Sequence, residues 1–290
     1  KSTSPRPWSD AAALNHSFRT DIRILLERAI HQAARGSTSW RVFWTAGVGH
    51  LGATDDHMAN ESSSLTMFLE ALSDIVVQTG IELPGVFVFA SSAGAIYGDG
   101  QQWPATEVSP TAPVGAYGRH KLTQEQMIDD SLGPIESIRV RHSRISTVYG
   151  SGQSTTKPQG VITHLVRNSL LRTPTKIYVP LDTKRDFIHA RSAAKMLHHH
   201  AESAWSSGAP ERAIRLAASE RSATLAQLIG TVRRVGRRTV PYVIIPGRPS
   251  PPLLAYRSTD LSNRRIDTVT LDEGIGDVID DMRVAVSNGR

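Results

Sequence analysis

Apolar positions along the chain switch between two periods. In residues 21–34, Ile22, Leu25, Leu26 and Ile30 recur at the three-to-four spacing that lines one face of a helix, and Gly36 follows as a stop. Residues 41–45 form a short apolar run, read as a buried strand, which leads into the glycine-rich turn Ala46-Gly-Val-Gly49. Over 61–77 the helical period returns through Leu65, Phe68, Leu69, Leu72 and Ile75. Residues 85–90 predict a second buried strand, 121–132 a helix and 138–148 a third strand. Strands alternating with helices at this spacing predict a parallel α/β sheet. Beyond Gly150 the texture changes, with Gly, Ser, Thr and Pro gathered through Pro158. A helix at 161–171, a short strand at 177–179, a helix at 192–205, a strand at 213–217 and a helix at 224–235 follow. Residues 1–15 read as an irregular lead-in, and 240–275 as Pro-rich with short strands.

Bulk properties narrow the field. The chain has 290 residues, enough for one large domain or two smaller lobes. No apolar run approaches the roughly 20 residues that span a bilayer, so no membrane partner is expected and a cytoplasmic location is the default. The sequence has no cysteine, which excludes disulfides and thiolate metal sites. The net charge of +6 comes from scattered basic residues, with short clusters only at Arg233-Arg234 and Arg237-Arg238. No aromatic residues interleave them as a single-strand binder requires, so nucleic acid is not expected as a partner. A diphosphate-bearing small molecule accounts equally well for local arginine. His198-His-His200 invites a metal reading, but consecutive histidines on a helix point in different directions.

The candidate chemistry centres on Tyr117-Gly-Arg-His-Lys121. A tyrosine and a lysine four apart at the start of a helix share one face, about a turn apart. An ammonium placed there favours the phenolate and so lowers the tyrosine pKa, which suits proton transfer with a sugar or alcohol hydroxyl. Upstream, Phe89-Ala-Ser-Ser-Ala-Gly-Ala-Ile-Tyr-Gly98 sits at the end of a strand, where ligands of open α/β sheets bind. A serine there can hold the reacting oxygen close to the tyrosine.

These segments resemble the extended short-chain dehydrogenase/reductases of the nucleotide-sugar epimerase/dehydratase type. Ser92 precedes Tyr117 by 25 residues, and Glu125 follows Lys121, as in that family. Arg144-Ile-Ser-Thr-Val-Tyr-Gly150 is similar to its Arg-x-x-Asn-Val-Tyr-Gly, and Lys184-Arg-Asp-Phe-Ile-His189 to its Arg-Asp-Phe/Tyr-Ile-His segment. The resemblance implies a Rossmann-like, doubly wound parallel sheet with a small mixed C-terminal substrate lobe. The corresponding division is residues 16–150 with 186–238 for the cofactor and catalytic lobe, and 151–185 with 239–290 for the substrate lobe. It implies NAD or NADP as cofactor and a nucleotide sugar as substrate. Tyr117 becomes the acid/base, Lys121 the residue that lowers its pKa and binds the nicotinamide ribose, and Ser92 the residue that orients the substrate oxygen. Ala46 and Gly47 would line the cofactor alongside Tyr117 and Lys121. Ser91 and Thr147 are further substrate-side candidates, and Arg185 and Arg257 candidates for the diphosphate. Many relatives dimerise through a four-helix bundle, here supplied by helices 61–77 and 121–132.

Departures from the family pattern refine the expectation. Ala93 stands where many relatives place the catalytic Ser/Thr, so Ser92 needs the turn at Gly94 to bring it into place, with Ser91 as the fallback. Thr147 replaces the usual Asn, and Ser151 the usual Pro. Ala93-Gly94 stand where sugar dehydratases carry an Asp-Glu pair, so epimerisation or ketoreduction is favoured over dehydration. Gly47-Val-Gly-His-Leu-Gly52 fits GxGxxG, yet the next strand ends in Ser91-Ser92 and not in the acid that the dinucleotide fingerprint requires. In the family that fingerprint also lies about twice as far ahead of the tyrosine. The true cofactor loop is therefore expected before residue 1, and weak NAD(P) binding by this chain follows. The competing class is a non-catalytic binding or scaffold protein on the same fold.

Overall fold

The structure, a computed structural model, describes residues 8, 10–33, 39–47, 49–50, 52–98, 100, 102–155, 159–246 and 253–287. The stop at Gly36, positions 48 and 51 of the glycine turn, Lys157-Pro158 and most of residues 1–9 lie outside the described residues.

Along the chain run α1 (Ala11–Ala33), β1 (Trp40–Trp44), α2 (Asp55–Thr79), β2 (Gly85–Ser92), α3 (Ala93–Ile96) and α4 (Gly115–Leu132). Next come β3 (Ile138–Ile145), β4 (Thr147–Tyr149), α5 (Val161–Leu171), β5 (Thr175–Ile177), β6 (Lys184–His189) and α6 (Ala190–Glu202). The last elements are β7 (Arg212–Ala217), β8 (Ser222–Thr224), α7 (Leu225–Gly236), β9 (Tyr242–Ile244), β10 (Leu253–Leu254) and α8 (Leu271–Ser287). This is the mixed α/β, Rossmann-like architecture that the alternating periods predict.

Several boundaries differ, each for a local reason. The supposed lead-in is helical from Ala11, because Leu14 and Phe18 extend the buried stripe of Ile22 and Leu26 by two steps of four. The predicted strand 138–148 breaks at Ser146, whose hydroxyl donates to Asp186 at 2.6 Å. The Pro-rich segment ends sooner than 275. Helix α8 starts at Leu271, with Thr270 and Glu273 exchanging hydrogen bonds across its first turn. Strands β6 and β8 show no apolar alternation and pair antiparallel through residues 184–186 and 222–224.

Contacts divide the chain into two compact units. One comprises Lys1–Ile96, Pro113–Arg144 and Leu197–Arg215; the other comprises Tyr97–Ala112, Ile145–Met196 and Leu216–Arg290. The first unit is built on a sheet of order β1-β2-β3-β7, in which β1 and β2 run parallel with Trp40 opposite Gly85 and Trp44 opposite Phe89. Its core is aromatic. Phe18 meets Trp44 and Phe68 edge-on, and Phe68 also packs on Trp44 and Phe87. Helix α2 is well delimited by its sequence. Thr54 accepts from the His57 N–H, Asp55 and Asp56 complement the positive end of the helix dipole, and Gly80 closes it in the left-handed conformation.

In the second unit β6 is flanked by β10 and β4, both parallel to it, and β5 pairs in parallel with β9. An apolar cluster gathers Ile162, Leu165, Leu228, Val232, Ile275 and Val278 from α5, α7 and α8. A buried carboxylate ties two loop segments of this unit to the end of β7. Glu107 accepts from Ser258 Oγ (2.6 Å), Thr259 N (2.8 Å), Thr259 Oγ1 (2.9 Å) and Leu216 N (3.2 Å). Burial alone would raise its pKa, but the bonds from Ser258 and Thr259 outweigh burial and hold it below the ordinary carboxylate value.

With the folded pKa depressed, the stabilising contribution of Glu107 is complete above its unfolded value and is lost as pH falls through the folded one. Glu107→Ala is expected to cost about 3 kcal/mol at neutral pH. Below about pH 4 the gap between wild type and variant should narrow. Urea unfolding followed across that range checks both statements.

Candidate active site

Strand β1 ends at Trp44, opposite Phe89, and β2 runs three residues further to Ser92. The chain leaves β2 directly into the single turn α3, and Ser92 Oγ accepts from the Ala95 N–H at 3.3 Å. Helix α4 then returns to the same strand end. The Val114 N–H donates to the Ala95 carbonyl at 2.8 Å, and a Cβ on Gly118 would lie 2.4 Å from that same carbonyl oxygen. Only glycine allows this approach, which places Tyr117 near Ser92, whose hydroxyl acts to lower the phenol pKa. The turn through Gly94 therefore brings Ser92, and not Ser91, to the tyrosine. Alternation along β2 sends Ser91 to the opposite face, where it is buried and donates to Glu125 at 2.6 Å. Arg144 grips the same carboxylate through Nε (3.0 Å) and Nη2 (2.6 Å). Ser91 and Glu125 thus belong to a buried network that fastens α4 to β2 and β3.

Lys121 lies one turn beyond Tyr117, and its side chain is 5% exposed. Its ammonium donates to Glu61 Oε1 of α2 at 2.9 Å and to Gln124 Oε1 at 3.0 Å. It stands 5.7 Å from the centre of the Tyr117 ring and 4.9 Å from that of Phe89. The second oxygen of Glu61 accepts the Gly49 N–H from the glycine turn at 2.9 Å. A Cβ on Gly49 would meet Met58 Sδ at 2.5 Å and Tyr117 Cδ2 at 2.9 Å, so the turn presses directly on the tyrosine ring.

The expected depression of the Tyr117 pKa is not found. Burial and the negative charge of Glu61 push it up to about 12, against the pull of the Ser92 hydroxyl. Burial of the phenol is the larger cause, and Lys121 does not offset it because of its own partner. An ammonium paired with a carboxylate at contact distance presents little net charge to a third group.

Comparison with known proteins now has a geometry to attach to. Residues 2–214 match the NAD dependent epimerase/dehydratase family. The chain belongs to that family. A UDP-glucose 4-epimerase of Azospirillum brasilense is 31% identical over 153 residues, covering 48% of this chain and 41% of that protein. The chain spans well under half the length of the curated relatives it matches. Among solved structures, UDP-glucose 4-epimerase of Thermotoga maritima with UDP-glucose superposes with a TM-score of 0.72 at 18% identity, covering 93% of this chain and 83% of that one. The Thermus thermophilus UDP-glucose 4-epimerase complex with NAD gives 0.71 at 19% identity, covering 96% and 83%.

For a member of the epimerase/dehydratase family, the residues present fit one end of a dinucleotide. Tyr117, Lys121, half-buried Ala46 and exposed Gly47 stand around the ends of parallel strands, the general ligand position of open α/β sheets. The described residues do not fit the pyrophosphate end. The Gly49 N–H already faces a carboxylate, and α2 opens with two further carboxylates, Asp55 and Asp56, where a phosphate would need a positive helix end.

The other candidates belong to the second unit. Thr147 is exposed on β4. Arg185 is half-buried on β6, donates to its own Lys184 carbonyl at 2.7 Å, and has its pKa lowered by burial, partly offset by Tyr256. Arg257 is exposed, next to the bridge between Ala105 and Tyr256. Asp186 is buried beneath three hydrogen bonds from Ser146 and Ser219. His200 is buried on Ser143 at 2.9 Å, while His198 faces Glu202 at 3.4 Å, so the histidine run splits between interior and surface. No group of three metal-ligating side chains occurs among the described residues.

Glu61 was not singled out from sequence, although a signal existed. It lies four residues before Leu65 and seven before Phe68, on the apolar stripe of α2, where a carboxylate needs a partner.

The two serines should separate in experiment. Ser91→Ala is expected to lower stability by about 1–3 kcal/mol, because it leaves part of a buried charged network unsatisfied. Ser92→Ala should leave the unfolding midpoint nearly unchanged. Thermal unfolding of both variants tests the assignment.

Proposed function

We propose that this chain carries the acid-base half of an NAD(P)-dependent epimerase or ketoreductase acting on a nucleotide-activated sugar. The observation that carries the reading is the gathering of Ser92 and Tyr117 at the end of a parallel strand, with Lys121 one turn on. Ser92 orients a substrate oxygen. Tyr117 exchanges a proton with that oxygen. Lys121 stabilises the phenolate and binds the nicotinamide ribose, with Ala46 and Gly47 lining the cofactor. The nicotinamide, when bound, supplies hydride transfer. Thr147 is assigned to substrate contact, and Arg185 and Arg257 to the diphosphate. The relatives named above support a UDP-sugar as the first substrate to test. Dehydration is disfavoured because Ala93 and Gly94 follow Ser92 and bring no carboxylate to the strand end. Helices α2 and α4 pack on each other and would contribute half of a four-helix bundle between two copies.

One observation favours a second reading, that of a non-catalytic binding protein: Glu61 engages both the Lys121 ammonium and the Gly49 N–H. Turnover of UDP-glucose at saturating NAD separates the two. The enzymatic reading expects measurable turnover in wild type and a loss of at least about 100-fold in a folded Tyr117→Phe. Equal rates in wild type and variant would remove Tyr117 from the chemistry. Folded wild type without turnover favours the second reading. Titration with NAD(P)H fluorescence is expected to show weak binding.

A further inference from the structure

Glu61 is a charged residue whose side chain is only 6% exposed, on a helix stripe otherwise made of Met58, Leu65, Phe68 and Leu72. Its carboxylate collects the Lys121 ammonium (2.9 Å), the Gly49 N–H (2.9 Å) and the Gln124 amide (3.3 Å). A buried carboxylate persists only with such compensation, and the one charged partner among these is Lys121. Around Tyr117 the Lys121 ammonium and the Glu61 carboxylate carry charge, whereas the Ser92 hydroxyl, Met58 and the Gly49 backbone do not. Ser92 comes from β2, Met58 from α2, the Gly49 backbone from the turn, and Lys121 from its own helix. Asp55 pairs with Arg119 and His120 at the exposed start of α4.

We infer that Glu61 is a positioning residue for the Ser92–Tyr117–Lys121 set: it holds the lysine ammonium on the α2 side and cancels its charge, so that Tyr117 rests as a neutral phenol until the lysine is released. The inference rests on the acid-base reading of Tyr117 and adds to it the protonation state from which the residue starts. For Tyr117 to begin as a base, Lys121 must first give up Glu61.

The test is a phenolate titration by ultraviolet difference spectroscopy, without substrate or cofactor, in wild type, Tyr117→Phe, Glu61→Gln and Glu61→Asp. Subtracting Tyr117→Phe isolates the Tyr117 signal. Wild type is expected to keep the phenol protonated until the protein unfolds in alkali. Glu61→Gln should bring the midpoint down by about one pH unit or more, because the ammonium then acts on the phenol uncancelled. Glu61→Asp keeps the charge and should behave as wild type. Should the glutamine variant not fold, Glu61→Asn supplies the same neutral substitution in a smaller side chain. A midpoint that stays at the wild-type position in the neutral variant overturns the inference, as does an equal fall in Glu61→Asp. Since no turnover is measured, an inactive chain would refute the proposed function without touching this result.

Discussion

The approach of α4 to the Ala95 carbonyl at Gly118 is the constraint on which the strand end holding Ser92 and Tyr117 depends. A helix can come this near a foreign carbonyl only where it has no side chain. Once it does, its rotation and height relative to β2 are both set. Tyr117 and Lys121 precede and follow that contact by less than a turn, so their positions are a consequence of backbone packing and not of their own interactions. The unusual start of the helix fits this view. Val114 provides no side-chain cap, and its N–H is satisfied instead by the carbonyl that receives the glycine.

Charge is then built into the buried face of that helix. Lys121 and Glu125, four apart, would ordinarily pair with each other. Here each turns to a different element: Lys121 to Glu61 of α2, and Glu125 to Arg144 of β3 and Ser91 of β2. Two short ionic networks therefore join α4 to its neighbours where apolar contacts would otherwise serve. Such pairs add little net stability, but breaking one leaves a buried charge behind, and that penalty discourages any other packing of the helix.

Much of this was legible in the sequence, and the limits are physical. Helix and strand periods located the sheet because Phe87, Phe89, Leu65 and Leu72 are buried for reasons that periodicity expresses directly. The spacing of Ser92, Tyr117 and Lys121 marked the site because it is fixed by one strand end and one helix turn. What could not be read was anything decided between elements. The choice between Ser91 and Ser92 depends on the phase of a strand, and the charge state near Tyr117 depends on a residue 60 positions from its partner lysine. The start of α1 and the whole of α8 escaped, because α1 opens on three alanines behind a Ser- and Pro-rich lead-in and α8 follows a proline-rich stretch.

The paired serines at the end of β2 carry a further implication for how this protein tolerates change. Adjacent hydroxyls on a strand serve opposite masters: Ser91 is mortar for the interior, whereas Ser92 is offered to whatever occupies the strand tip. Insertion or deletion of one residue ahead of them would exchange their places, sending the hydroxyl at the strand tip inward and the structural one out. Drift in the length of this strand is therefore penalised twice, in the solidity of the scaffold and in its reactivity, and the loops beyond the helices are left as the places where the chain can lengthen or shorten freely.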